Sequence, residues 1–263
     1  YIQVDIEPQS IGMNWVPDVA ILGDANLVLR DLISGIKEKI KKERSFEEMP
    51  RIKEILKAKK EFEAGVESEV TDDVVPISPK RLAWELGKVF GKNTILCNEN
   101  GNNDVWTYIF PYYKVLDQGC VVPMGEETCF GLGVAGVIGA KLARPDLNAL
   151  CPTGDGAFQH YNKELATAAQ YRLGVTWAVF NNAGFGRPGQ FKVQPDFVKL
   201  AEASKCYGEK VEKPSEIKPA LKNALKANKE GIPAVVDVII KHEPTWGMWG
   251  AWGAGFPTSI HMP

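Results

Sequence analysis

The 263-residue chain is 44% hydrophobic, which is enough apolar material for one large domain, or for one domain and part of another. Its 31 Lys and Arg residues nearly balance 33 Asp and Glu, so the charge excludes nucleic acid and anionic membranes as favoured partners. No apolar run approaches the roughly 20 residues of a membrane helix, and the five cysteines lack metal-site spacing. We therefore expect a cytoplasmic protein with reduced thiols.

Residues 1–36 have the pattern of an incomplete α/β domain. The segments YIQVDI and VAILGD are typical of strands, and the apolar residues that follow recur at helical spacing. Asp24 is a suitable N-cap for this helix. Because the chain opens on a core-type strand without a methionine, we expect residues 1–36 to be the end of a doubly wound domain, and the chain to be the C-terminal portion of a longer or processed polypeptide.

Residues 37–75 are dense in Lys and Glu, and the alternating charges favour a solvated helical linker over a basic recognition helix. After Pro76, apolar strands alternate with helical segments. Ser78 and Pro79 are typical of a helix start. The predicted helices are 80–90, 131–143, 162–173, 197–208 and 215–231, and the predicted strands are 94–97, 147–154, 175–182 and 234–240.

This alternation predicts an α/β fold. Strands that are apolar along almost their whole length are typical of a parallel sheet with helices on both faces. We therefore predict a doubly wound parallel sheet over residues 76–244, preceded by the fragment of a second α/β domain and the charged helical linker. The small residues of GLGVAGVIGAKLA predict a helix that packs closely on its neighbour.

The segment 154–186 carries the clearest chemical pattern. GDG ends one predicted strand, and the Asn pair 181–182 ends the next. Because parallel strands end at the same edge of a sheet, Asp155 and Asn182 are expected to meet there. A carboxylate, an amide oxygen and a backbone carbonyl such as that of Gly184 are ligands that a hard cation prefers. The sequence therefore predicts a site for a magnesium-bridged diphosphate.

The spacing of GDG and Asn182, which lies 27 positions after Asp155 (182 − 155), resembles the thiamine-diphosphate signature of the acetolactate synthase family. Further similarity lies in YIQVDIEPQSIGMNWVPDVAILGDANLVLRDL, in ISPKRLAWELGKVF and in GVIGAKLARPD. The first of these segments resembles the last part of the family's middle domain, so the resemblance implies that residues 1–36 are the C-terminal end of that domain. The resemblance implies a lyase or transferase that uses thiamine diphosphate and Mg²⁺ to break or form a carbon–carbon bond on a 2-oxo acid.

By this resemblance Asp155, Asn182 and the Gly184 carbonyl hold the metal. NENGNNDVW falls at the position of an active-site loop, which makes Asn103 a possible catalytic residue, and Phe130 aligns with the apolar wedge that bends the cofactor, with Met124 as a competing candidate. The implied cofactor-binding residues are Asn102, Asn103, Phe130, Gly154, Asp155, Gly156, Ala157, Phe158, Asn182, Gly184, Phe185 and Gly186.

The resemblance also implies that an activating glutamate belongs to a separate pyrimidine-binding domain. We therefore expect this chain to act with another polypeptide, or with the N-terminal half of its own protein, in a homo- or hetero-oligomer. Two alternatives remain open. NGNND also resembles the active-site loop of oxalyl-CoA decarboxylases and 2-hydroxyacyl-CoA lyases, and the chain could be a non-catalytic cofactor-binding subunit.

The tail, residues 245–263, is rich in Trp and Gly. Such apolar composition is costly in water, so we expect the tail to pack on the protein, either as a lid over the site or as a docking strap.

Overall fold

The computed structural model describes residues 1–40, 45–123, 129–184 and 193–243, with the side chain of Asn102 left out. Contacts divide the chain into two units, Tyr1–Glu61 and Phe62–Pro263. The dividing point lies inside the segment predicted as linker, and Val66 and Val70 are buried in a cluster of the second unit that also contains Trp84 and Trp106. Within the described residues, no helix is both long and apolar enough to cross a bilayer.

The first unit contains two parallel strands and a helix. Their bounds are β1 Ile2–Asp5, β2 Val19–Leu22 and α1 Ala25–Lys39, followed by α2 Pro50–Glu69, which continues into the second unit. As predicted, Asp24 caps α1, because its carboxylate accepts hydrogen bonds from the amides of Asn26 and Leu27. All of α1 lies in the described part of the chain, and none of its residues is buried.

The second unit is a parallel sheet with helices on both faces. Its elements are α3 Pro79–Phe90, β3 Thr94–Cys97, α4 Asn102–Tyr108, β4 Val121–Val122, α5 Leu132–Ala143, β5 Asn148–Gly154, α6 Asp155–Tyr161, α7 Glu164–Gln170, β6 Val175–Asn181, α8 Phe197–Ala203, β7 Tyr207–Val211, α9 Pro214–Lys229 and β8 Ala234–Ile239. The strand order is β4-β3-β5-β6-β8-β7, and every pairing is parallel. The predicted fold class is confirmed.

Two apolar layers enclose this sheet. One layer packs α5, α6, α7 and α8 on one face around the fully buried Trp177. The other packs α3 and α9 on the opposite face through residues such as Leu82, Leu86 and Leu221. Because the central strands β3, β5, β6 and β8 are covered on both sides, their sequences are apolar almost throughout, which is the pattern from which the fold class was predicted.

Three local predictions differ from the structure. The helix predicted over 197–208 ends at Ala203, and Tyr207–Val211 forms β7 at the edge of the sheet. The segment predicted as an active-site loop contains the short helix α4. Ser78 does lie at the N-cap of α3, yet its hydroxyl makes no capping bond there and donates to Glu243 at 3.0 Å.

Candidate functional site

A cavity of about 170 Å³ opens at the carboxyl edge of the sheet. The strand order reverses between β3 and β5, since β3 connects outward to β4 and the chain then returns through α5 to β5. Open α/β sheets bind ligands at such a switch point. The cavity is lined by residues that follow four strands, namely Asn100, Gly101 and Asn103 after β3, Asp155, Gly156 and Ala157 after β5, Asn182 and Gly184 after β6, and Ile240, Lys241, His242 and Glu243 after β8.

Asp155 is the buried carboxylate of this cavity, with 2% of its surface exposed. Its Oδ1 accepts from the Gly156 amide at 2.8 Å, and its Oδ2 accepts from the Gly184 amide and from Nε2 of Gln194, both at 2.9 Å. Burial raises the pKa of the Asp155 carboxyl above its usual value, and these donors oppose that rise. A cation in the cavity would stabilise the ionised carboxylate further.

Asn182 supplies an acceptor that is not satisfied by the protein. Its side-chain oxygen is buried, and no donor among the described residues reaches it. A buried amide oxygen without a donor is costly, unless a ligand or a cation contacts it. Asn182 and Asp155 line the same cavity, so the oxygen ligands expected for a hard cation are together in the fold.

The described residues do not form a protein-only metal cage of acidic, His or Cys ligands. The described part of the chain contains no group of three or more His, Cys, Asp or Glu side chains that could hold a metal ion. A cation at Asp155 and Asn182 would therefore need ligand oxygens, such as those of a diphosphate, to complete its coordination. This donor set fits a magnesium-bridged diphosphate.

Asn103 has a structural role in addition to its position in the cavity. It is 4% exposed, and its Nδ2 donates to the carbonyls of Glu99 at 2.8 Å and Pro152 at 3.2 Å. These bonds tie the end of β3 to β5 and use both of its amide hydrogens. Only its Oδ1 is left to face a ligand, so the side chain is restricted to accepting a hydrogen bond. The Asn102 side chain lies outside the described part of the structure.

Glu99 is a buried residue that our sequence analysis did not identify. It is fully buried, and its carboxylate accepts from the amides of Asn100 at 3.0 Å, Gly131 at 2.9 Å and Val134 at 3.0 Å. Gly131 is the N-cap of α5 and Val134 lies in its first turn, so Glu99 links the loop after β3 to that helix. The only sequence signal was an acidic residue two positions after an apolar strand.

The apolar part of the cavity includes Phe130 and Trp106. Phe130, the predicted wedge, is 39% exposed and lies directly before Gly131, whose amide is held by Glu99. Met124, the competing wedge, and the predicted contacts Phe185 and Gly186 fall outside the described residues. The Trp- and Gly-rich tail, residues 245–263, also falls outside them.

The end of β5 and the start of α6 place Gly154, Gly156 and Ala157 in the lining of the cavity. Phe158 differs, because its side chain is fully buried in the core beside Trp177 and Phe197. Any contact from Phe158 to a ligand must therefore come from its backbone.

The chain matches the family model described as thiamine pyrophosphate enzyme, C-terminal TPP binding domain, over residues 99–238. This range includes GDG, both Asn residues, the strands β5 and β6, and all but the last residue of β8. The chain belongs to this family. The match confirms the predicted resemblance, and it identifies the domain as the one that binds thiamine diphosphate in these enzymes.

Curated relatives agree with this assignment. The chain is 32% identical over 244 residues to a probable acetolactate synthase large subunit from Methanococcus aeolicus, covering 85% of this chain and 40% of that protein. It is 33% identical over 284 residues to the corresponding protein of Methanocaldococcus jannaschii, covering 100% of this chain and 45% of that protein. The chain thus spans less than half the length of these relatives.

A solved structure shows the same fold. A thiamine diphosphate-dependent 4-hydroxybenzoylformate decarboxylase from Rhodococcus jostii RHA1 aligns with a TM-score of 0.55 and 25% identity, covering 64% of this chain and 33% of that chain. The relatives therefore include a decarboxylase as well as acetolactate synthases.

Proposed function

We propose that this chain supplies the diphosphate- and Mg²⁺-binding part of the active site of an acetolactate synthase-like enzyme, which forms or breaks a carbon–carbon bond on a 2-oxo acid. The observation that carries this proposal is the meeting of the buried Asp155 carboxylate and the unsatisfied Asn182 amide oxygen in one cavity. Similarity to acetolactate synthase large subunits supports the substrate class.

Each residue of the cavity has a distinct task in this proposal. Asp155, Asn182 and the carbonyl of Gly184 would hold Mg²⁺, whose remaining sites take diphosphate oxygens and water. Thiamine diphosphate, when bound, supplies the nucleophilic carbon and the electron sink for the reaction. Phe130 and Trp106 provide apolar surface that limits water at the cofactor.

The activating glutamate is proposed to come from a pyrimidine-binding chain or domain. Glu99, although buried near the cavity, already accepts three backbone hydrogen bonds, so it serves the fold of this chain. Catalysis therefore requires a second polypeptide or another part of the same protein, and the site would lie between the two.

The metal site is tested by comparing D155N with D196N in a binding assay. Asp196 is an exposed helix cap whose Oδ1 accepts from the Lys199 amide, a task that Asn performs equally well. We expect D155N to weaken Mg²⁺-dependent thiamine-diphosphate binding at least tenfold, measured by isothermal titration calorimetry, and D196N to leave it unchanged. Mg²⁺-dependent binding of wild-type strength in D155N would contradict the proposal.

The reaction is tested with pyruvate as substrate. We expect this chain alone to bind the cofactor without turnover, and the protein with its pyrimidine-binding part to form acetolactate. Rapid turnover by this chain alone would contradict the need for a partner. Turnover of an acyl-CoA thioester but not of pyruvate would refute the 2-oxo acid assignment, and cofactor binding without any turnover by the assembled protein would indicate a non-catalytic subunit.

A further inference from the structure

Asp237 is a carboxylate in the interior of the apolar strand β8, Ala234–Ile239, and it has no part in the proposed chemistry. It is 5% exposed, and both of its neighbours in the strand are fully buried valines. A charged group at such a position is costly, unless it is hydrogen-bonded to a partner. The presence of a carboxylate in this strand therefore calls for a physical reason.

The partner of Asp237 is Asn181, the last residue of the adjacent strand β6. Nδ2 of Asn181 donates to Oδ1 of Asp237 at 2.8 Å, and Asn181 is itself 4% exposed. The other side-chain atom, Oδ1 of Asn181, accepts from the Ala183 amide at 3.0 Å. Because a backbone amide can only donate, the oxygen must face Ala183 and the NH₂ group must face Asp237. Asp237 thereby fixes the orientation of this amide.

The Asn181 side chain in turn holds the turn that follows β6. Ala183 has a φ of 55°, which places a residue other than glycine in the left-handed region. This strained turn brings the Asn182 oxygen into the cavity and lets the Gly184 amide donate to Asp155 at 2.9 Å. Strained backbone persists where surrounding contacts determine it, and the Asn181 bond to Ala183 is such a contact.

We propose that Asp237 and Asn181 are positioning residues that hold the Asn182–Gly184 turn in the conformation needed to bind the cation and the diphosphate. Asp237 acts only through Asn181, and neither residue needs to touch the ligand. This inference depends on the proposed function, because it assigns a support to the same metal site.

Three variants of the full protein test the inference. D237V removes the acceptor and suits an apolar strand, whereas D237N keeps an acceptor oxygen for Asn181. The matched control is T176V, at the opposite end of the same strand β6. It removes another side-chain hydrogen bond, a partly buried one from Oγ1 of Thr176 to Oδ1 of Asn228 at 2.6 Å, which lies outside the cavity lining.

The measurement is Mn²⁺ binding at saturating thiamine diphosphate, followed by the electron paramagnetic resonance signal of free Mn²⁺, together with the melting temperature. We expect D237V to weaken Mn²⁺ binding at least tenfold, and D237N and T176V to stay within threefold of the wild-type protein. A general loss of stability would affect T176V as well. A loss of Mn²⁺ affinity in D237V without a matching fall in melting temperature therefore supports the positioning role of Asp237.

Two results would overturn the inference. The first is a Mn²⁺ affinity in D237V equal to that in T176V. The second is an equal loss of affinity in D237N and D237V, which would show that the negative charge of Asp237, and not its acceptor oxygen, supports Mn²⁺ binding. In both cases the wild-type protein still binds, and the proposed function survives. Absence of Mn²⁺ binding in the wild-type protein would instead remove the proposed function and this inference together.

Discussion

Replacing Gly133 by alanine tests how closely α5 packs on the loop that forms the cavity. A Cβ at this position would lie 2.5 Å from the carbonyl oxygen of Asn98, 2.6 Å from its carbon and 2.7 Å from the Glu99 nitrogen. These are backbone atoms, and relief of the overlap requires a shift of about 0.5–1 Å. Glu99 binds the amides of Gly131 and Val134, so the helix and the loop resist moving apart.

The same helix offers two matched controls. Cβ atoms at Gly136 and Gly139 would meet nothing within 4 Å. Replacing either by alanine should stabilise the protein by about 0.5–1 kcal/mol, because alanine is the better helix former. At Gly133 the same gain is opposed by a packing penalty of about 1–3 kcal/mol, which leaves a net loss of up to about 2.5 kcal/mol and puts G133A about 1–3 kcal/mol below the two controls.

Thermal unfolding and urea denaturation measure these differences. We expect G133A to melt up to about 10 °C below the wild-type protein, and G136A and G139A to melt slightly above it. Because the loop after β3 and Phe130 line the cavity, G133A should also weaken thiamine-diphosphate binding, while the controls should not. If G133A is as stable as G139A, the close approach of α5 to the loop is refuted.

Three further predictions concern the residues around the cavity. E99A should lower the free energy of unfolding by about 3 kcal/mol or more in urea denaturation, because three backbone amides, two of them in buried hydrogen bonds, lose their acceptor. E99Q should lower it less, and equal losses in the two variants would contradict this role. Burial raises the pKa of Asp237 to about 6 from 3.8, so the free energy of unfolding should fall by up to about 3 kcal/mol as the pH rises from about 4 to about 6. D237N should lack this fall in the free energy of unfolding when denaturation is measured without metal at several pH values. If D237N keeps the pH dependence of the wild-type protein, Asp237 is not its source. F130A should lower kcat more than thiamine-diphosphate affinity in steady-state kinetics, whereas an unchanged kcat would show that Phe130 is not the wedge.

Local sequence patterns determined the fold class and brought the central pair of residues together. Strands buried on both faces are apolar along almost their whole length, and for this reason β5, β6 and β8 could be predicted from the sequence. Once those strands are parallel, the residues that follow β5 and β6 share an edge, so Asp155 and Asn182 line one cavity. The small residues of α5 likewise predicted a close approach, which Gly133 makes.

Tertiary structure alone decided the features that depend on neighbours distant in sequence. β7 was not predicted, and its first two residues, Tyr207 and Gly208, fell inside a predicted helix. An edge strand pairs on one side only, and the mixed polar sequence YGEKV lacks a clear strand period. The bonds from Glu99 to α5, and from Asn181 to Asp237, join residues separated by more than thirty positions. Residue type and spacing show that a buried carboxylate needs a partner, but only the folded chain determines which donor reaches it, because that choice depends on how separate strands and helices are packed.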